Sequence, residues 1–514
     1  MSAIASRGGR ALRAATRQFS SSPPSSVDVV VCGAGVVGVA AAHYLARRGA
    51  SVLVVDERPP LSYTSSLSTE CYRNFWGEHA AMTAFMNRSV DLLEARAAES
   101  GNGFSMNRRG YYFLSAAEAG AARHAEVARS AARLGLGSGA VHAGAGHGVA
   151  YDGATAAHDA SVDGLSVFQG PEAIGAFFGG LPSFVAPEVT SVLRCGRCGW
   201  LSAQQMGAQL LDDAREAHGV RTLTPAALTA VHADGGAVSG VDVRTADGGA
   251  LRVACGAFVN CAGPYAAAVH RLVLAAAGDG GDGEALAALP LENEIHAKAV
   301  LRDALGAVPM EAPMMIWEDE IDLGWSDEER ADLLSMGGFE ATLAKPLPAG
   351  AHLRPYPGAT GSVLMLWEAL HMDVSVAEPP PAEPELRGAL FAELMLRGLS
   401  RMVPRLSEYL AADGSMQATV SVDGGYYTKT PDNLPLVGAA PGGPRGAYVC
   451  AGLSGYGVMA ANAAGDLLAS HVVDGAPLAA EHGAYADAFR PERWLDADYR
   501  ARVASGAAEK GLQI

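Results

Sequence analysis

The stretch Val27 to Asp56, VDVVVCGAGVVGVAAAHYLARRGASVLVVD, leaves this chain few folds to choose from. It opens on an apolar run, Val27 to Cys32, of the kind that forms a strand buried on both faces. Gly33, Gly35 and Gly38 follow in the spacing G-x-G-x-x-G, with Ala34, Val36 and Val37 between them. An alanine-rich segment with helical periodicity then runs from Val39 to Arg48 and stops at Gly49. A second apolar run, Ser51 to Val55, ends in Asp56 and Glu57. Strand, glycine turn, helix, strand and acid in this order make a dinucleotide-binding βαβ unit. Gly33 permits the tight turn, Gly35 lets the backbone approach a pyrophosphate, and Gly38 lets helix and strand pack closely. The helix N-terminus offers N–H groups and partial positive charge to the phosphates. Asp56 is placed to accept hydrogen bonds from both ribose hydroxyls, and its charge repels a 2′-phosphate. Whether the ligand is FAD or NAD has to be read elsewhere in the chain.

Bulk properties narrow the partners. The chain has 514 residues, room for two large domains or three average ones, and 49% of them are hydrophobic. The formal charge is −17, while the first 27 residues hold four arginines and no acid. The rest is therefore strongly acidic, which argues against nucleic acid or an anionic membrane as partner. No run reaches the ~18 uninterrupted apolar residues of a membrane-spanning helix. Seven cysteines without regular spacing suggest free thiols. Cys195-Gly-Arg-Cys198 is the one C-x-x-C and lacks the second pair of a zinc ribbon. His142, His147 and His158 have no cysteine or carboxylate partners at ligand spacing, so no metal site is expected.

Residues 1–26 are rich in Arg, Ser and Ala, the composition of an organelle transit peptide. Mitochondrial matrix is the expected destination, with plastid as the alternative. After Asp56, Ser65 and Ser66 supply hydroxyls near the first unit's ligand. Arg73 then sits among Tyr72, Phe75 and Trp76. A guanidinium beside aromatic faces either binds a carboxylate bidentately or anchors its own loop. Residues 79–100 read as an amphipathic helix, 135–165 as a low-complexity stretch, and 202–218 as a helix capped by Ser202. Short strands with Asp-Gly and Gly-Gly turns follow from 221 to 254. The strand Ala257–Asn260 runs into Ala262 and Gly263, small residues that let a cofactor approach the backbone. Arg354, in HLRPYP, is a candidate to face the substrate. Near the end, AYVCAGLSGYGVMAANAAGDLLA is again strand, glycine loop and helix, a second anion-facing element.

Four ordered motifs carry a resemblance: GAGVVG with Asp56 or Glu57, NCAGPYA at 260–266, TPDNLPLVG at 430–438, and GLSGYGVMAANAAGDLLA at 452–469. Together they resemble the FAD-dependent oxidoreductases of the D-amino-acid oxidase (DAO) family, glycine oxidase and sarcosine oxidase among them. The resemblance implies an α/β fold: a Rossmann-type FAD-binding domain, glutathione-reductase-like, plus an α+β substrate or cap domain on an antiparallel sheet. The FAD domain would gather 27–100, 190–275 and 420–475, and the cap 101–189 and 276–419, with 476–514 as a tail. It implies further that Gly452, Ser454, Gly455, Tyr456, Gly457 and Val458 bind the flavin end of FAD. Arg73, in CYRNFWGE, looks like the arginine that holds the substrate carboxylate in sarcosine oxidase, and Tyr427 falls where that enzyme has an active-site tyrosine.

The departures are equally specific. Gly425 stands where sarcosine oxidase tethers its flavin through a cysteine, and no histidine lies between Asp56 and Arg73, so non-covalent FAD is expected. Met459 occupies the place of a carboxylate-binding lysine. The expected activity is oxidation of a C–N bond in an amine or amino-acid-like substrate, by hydride transfer to flavin N5. O₂ or an electron carrier would reoxidise the cofactor. The alternatives are a flavoprotein oxidising a hydroxy acid, or a mitochondrial assembly factor with little turnover.

Overall fold

In a computed structural model, the structure describes residues 23–153, 163–179, 181, 184–278, 288–356, 361–370, 376–386, 388–410, 416 and 418–508. The proposed transit segment therefore lies almost wholly outside the described residues, as does His158.

The opening unit forms as its residues dictate. Val29–Cys32 and Val52–Val55 are fully buried parallel strands joined by the helix Val36–Arg47. They lie within a six-stranded sheet in the spatial order 436–439, 447–451, 257–260, 29–32, 52–55, 221–223. All neighbours are parallel except the first pair, which is antiparallel. The Val36–Arg47 helix lies against the helix Gly457–Ala469, and the alanines and glycines explain how closely. A Cβ on Gly465 would come within 2.8 Å of the Ala40 backbone, so only glycine fits there. Tyr44 crosses the same contact and donates to Asn462 at 3.1 Å, which satisfies two buried polar groups.

The second layer is a nine-stranded sheet ordered 420–429, 292–302, 362–366, 352–355, 314–317, 111–115, 191–195, 165–169, 139–143. It is mainly antiparallel, with parallel pairs at 314–317/111–115 and at the 139–143 edge. Two features differ from the sequence reading. The strands Ser191–Cys195 and Val420–Lys429, grouped above with the FAD-binding segments, hydrogen bond in this second sheet. The stretch read as low complexity contains the edge strand Gly139–Ala143, where His142 stacks on Phe168 at 5.0 Å. The segment after 387 is a helix, Gly388–Leu399, followed by a separate 3₁₀ turn at Pro404–Tyr409, because proline lacks the N–H to continue a helix.

The C-terminal segment wraps the first domain. Arg493 makes a bidentate pair with buried Asp432 at 2.8 and 3.2 Å, and the Tyr499 hydroxyl donates to the same carboxylate at 2.6 Å. Asp432 belongs to TPDNLPLVG, so the tail fastens the loop that leads to the 436–451 strands. Among the described residues no helix is long and apolar enough to cross a membrane.

Candidate active site

Four neighbouring cavities each share bordering residues with the next. The first lies at the C-terminal ends of the parallel strands, bordered by Gly33, Ala34, Asp56, Glu57, Ala262 and Gly263. The second is reached past Gly35, Ser65 and Gly263 and is bordered at its far side by Gly452, Ser454, Gly455, Gly457 and Val458. A third, small cavity opens from it at Gly455 and Tyr427 and contains Arg73. A fourth meets the third at Ile316 and Glu368.

The glycine turn is closely packed and leaves its backbone open to the first cavity. Gly33 has φ +111°, and a Cβ there would lie 2.2 Å from the Cys261 carbonyl oxygen. A Cβ on Gly38 would lie 1.9 Å from the Gly33 carbonyl oxygen, so Gly38 serves helix–turn packing and does not border the cavity. Asp56 accepts from the Ala34 amide at 2.6 Å and the Arg58 amide at 2.8 Å, which fixes the acid over the turn. Ser65 accepts from the Val36 amide at 3.0 Å, satisfying one of the free N–H groups of the helix start. Val37 borders the second cavity. The Gly457–Ala469 helix starts without a side-chain cap and points its first turn at the same cavity. Two helix N-termini thus face one continuous groove, an arrangement suited to a long ligand with a central pyrophosphate and an anionic end.

Three expected site residues lie elsewhere. Ser66 is exposed and donates to the Tyr63 carbonyl within its own turn, so it borders neither cofactor cavity. Tyr456 donates to the Asn433 carbonyl at 2.9 Å and meets Trp76 edge-on, which makes it a wall of the Arg73 cavity instead of the groove. Arg354 is fully buried and donates to the carbonyls of Thr69 at 2.6 Å and Pro355 at 3.0 Å, with Glu70 at 3.8 Å. It pins the loop before Arg73 and borders none of the four cavities. Strand alternation puts it on the same face as His352, which does reach the Arg73 cavity, but two residues further along.

Arg73 is 5% exposed and stacks over Trp76, 4.2 Å from guanidinium to ring centre. Burial pushes its pKa down from the ordinary value. His352 shares the cavity. It donates from Nδ1 to the Gly350 carbonyl at 2.7 Å, and burial lowers its pKa to about 4, so it is neutral at pH 7. Tyr427 lies between groove and cavity with its phenol pushed up by burial, so it remains a hydroxyl donor. Glu368 faces the same space, and burial raises its pKa to about 7. Sequence reasoning missed Glu368, and also Arg58, Tyr63 and Tyr265 at the other end of the groove. Arg58 lies 4.3 Å from the Tyr63 ring and donates to the Tyr265 hydroxyl at 3.0 Å. Tyr265 lies inside NCAGPYA and Tyr63 comes shortly after Asp56, but nothing in the sequence pairs them.

The family model described as FAD dependent oxidoreductase (DAO) matches residues 28–303 and 325–471. The chain belongs to this family and is an FAD-dependent oxidoreductase. The fold is shared with the L-proline dehydrogenase from P. horikoshii at TM-score 0.65 and 19% identity, over 92% of this chain and 98% of that one. It is shared too with the glycine oxidase from Geobacillus kaustophilus, at TM-score 0.60 and 17% identity over 88% and 96%. The L-amino acid deaminase from Proteus vulgaris matches at TM-score 0.61 and 13% identity over 90% and 98%. No curated protein matches the sequence. The groove fits FAD on its own chemistry: Asp56 is a carboxylate that ribose hydroxyls could donate to, a glycine turn opens one helix start, and the second helix start at the far side has no side-chain cap.

Proposed function

We propose that the enzyme oxidises the C–N bond of an amino acid or similar amine that carries a carboxylate. The observation that supports this most is the buried Arg73 guanidinium, held on Trp76 in a small cavity that opens onto the flavin end of the groove. A cation so desolvated binds an anion far more strongly than one in water, and its planar fork suits a carboxylate. FAD, when bound, supplies the two-electron acceptor for the substrate's C–H hydrogen. The chain's own residues do the rest. Arg73 orients the carboxylate, Tyr427 donates a hydrogen bond at the junction of cavity and groove, and Trp76, Tyr111 and Tyr456 keep water out.

FAD is bound non-covalently in this reading. Position 425 carries no side chain, and the nearest neighbours of a Cβ there would be Leu67 and Thr64. The segments 27–100, 190–275 and 420–475 hold the cofactor and 101–189 with 276–419 form the cap, except that the strands Ser191–Cys195 and Val420–Lys429 go with the cap sheet. O₂ or an electron carrier reoxidises the enzyme. Residues 1–26 direct the chain to the mitochondrial matrix, or to a plastid as the alternative; a fluorescent fusion lacking 1–22 should lose its organelle.

The test is anaerobic bleaching of the bound flavin by a panel of amino acids, amines and hydroxy acids. Bleaching by amino acids supports the reading, whereas bleaching by hydroxy acids alone overturns it. Acid precipitation of the same preparation should leave the flavin in the supernatant.

A further inference from the structure

The Arg73 cavity ends at Glu368, a residue with no part in the roles above. Glu368 opens the 3₁₀ turn Glu368–Leu370 directly after the strand Ser362–Leu366. Between them Trp367 is 1% exposed, donates to the Pro348 carbonyl at 3.0 Å, and presses on Gly398, where a Cβ would lie 2.5 Å from its ring. The backbone that carries Glu368 is therefore held by a locked neighbour. It borders two spaces at once. Inward is the cavity of Arg73, Tyr111, His352 and Tyr427, and outward is one bordered by Glu294, His296, Glu318 and Lys429. The outer residues reach solvent: the side chains of Glu294 and Lys429 are 34% and 20% exposed.

The charges around Glu368 come from several elements. Lys429 and the Tyr427 phenol belong to the strand Val420–Lys429, Glu294 to Glu292–Arg302, and Arg73 follows Cys71–Tyr72. Lys429 is engaged by Glu294 at 2.6 Å, and His296 bonds the same carboxylate at 3.0 Å. The His296 bond and the Lys429 charge lower Glu294 to about 2, so it stays ionised. Burial is the largest influence on Glu368, and the charges of Lys429 and Arg73 oppose it.

We propose that Glu368 binds the substrate's ammonium group, opposite the carboxylate held by Arg73, and accepts its proton. The inference rests on the amino-acid reading above. An ammonium nitrogen has no lone pair with which to form C=N. In the step, one N–H bond breaks and an O–H bond forms on Glu368, leaving the electron pair on nitrogen. The C–H hydrogen then departs with both bonding electrons, which the enzyme's cofactor accepts, and C=N closes. Glu368 returns its proton to solvent through the outer cavity past Glu294 and Lys429. Substrates are accordingly amines with at least one N–H in the cationic form; quaternary ammonium carboxylates bind but are not oxidised.

The experiment uses the holoenzyme and two non-oxidisable probes, 2-aminoisobutyrate and 2,2-dimethylpropanoate. They share the carboxylate and lack an α C–H, and a methyl replaces the ammonium in the second. Binding is read from the flavin absorbance. The parent enzyme should prefer the amino acid by about 10-fold, the worth of a hydrogen bond between charged partners. Glu368→Gln should lose that preference while binding 2,2-dimethylpropanoate as before, and Glu368→Asp should keep part of it. In stopped flow, the parent's bleaching rate should fall below about pH 7, and E368Q should show no such limb. An E368Q enzyme with the parent's preference and pH profile overturns the role of Glu368 alone. A parent enzyme bleached by no amino acid overturns the amino-acid reading and this inference with it.

Discussion

His296 and Tyr427 lie ring on ring, with centroids 3.8 Å apart and planes 13° from parallel. They sit diagonally on neighbouring antiparallel strands: His296 pairs with Gly425, and Tyr427 lies two residues on along the same face. The other face of the relationship is the 3.0 Å bond from His296 to Glu294. His296→Phe keeps the ring and loses that bond, while His296→Ala loses both. A stacked pair contributes about 0.5–1.5 kcal/mol, so H296A should raise KM by roughly 2–10-fold while H296F stays near the parent. Steady-state kinetics distinguish them, and equal KM rises would show that the bond to Glu294, not the stack, holds Tyr427.

Arg73→Lys keeps the charge but loses the planar fork and the stack on Trp76. A lost hydrogen bond between charged groups costs about 1.5–3 kcal/mol, so kcat/KM should fall at least ~10-fold with FAD content unchanged. Parent-like kinetics in R73K would leave Arg73 as a loop anchor.

Gly38→Ala places a Cβ 1.9 Å from the Gly33 carbonyl oxygen, and that oxygen belongs to backbone that cannot swing away. The turn must open for the methyl to fit. Purified G38A should therefore contain little FAD, measured as the ratio of absorbance at 450 and 280 nm, a characteristic flavin reading. A full complement of cofactor would contradict the close turn described.

Glu368 makes stability depend on pH in a definite direction. Folding raises its pKa from 4.5 to about 7. The folded state therefore binds more protons between these values, and stability falls as pH rises through that window. Below 4.5 the contribution is intact; above 7 the loss is complete. Glutamine does not ionise, so E368Q should have a higher Tm than the parent at pH 8 and an equal one near pH 4, by calorimetry. An E368Q Tm no higher at pH 8 than at pH 4, relative to the parent, would mean the carboxylate is not desolvated.

The groove was legible in the sequence because each of its parts is local. Gly33, Gly35 and Gly38 sit within one turn, Asp56 ends the next strand, and Gly452 to Gly457 form one loop. The substrate end was only half legible. Arg73 announces itself by its aromatic neighbours, but Arg354 looked equally suitable in HLRPYP. A strand of alternating faces fixes which side a residue takes, not how far along the sheet it lies, and Arg354 stands two residues beyond His352, which borders the cavity. Glu368 follows the apolar run SVLMLW as any strand-ending acid does. Its meaning comes from Trp367 and from four chain segments that meet only in the folded protein.

The six-stranded sheet draws its strands from 29–55, 221–223, 257–260 and 436–451. The first βαβ unit leaves the ribosome early, but the strand that covers Ala257–Asn260 and the helix Gly457–Ala469 are made some 390 residues later. Until then the glycine cradle has only one of its two helix starts, and buried strands such as Val29–Cys32 have no complete sheet to join. Cofactor capture is consequently a late event in the life of each chain. Until the strand Ala447–Ala451 exists, apolar strands stay uncovered, and that interval is when this protein is most exposed to aggregation.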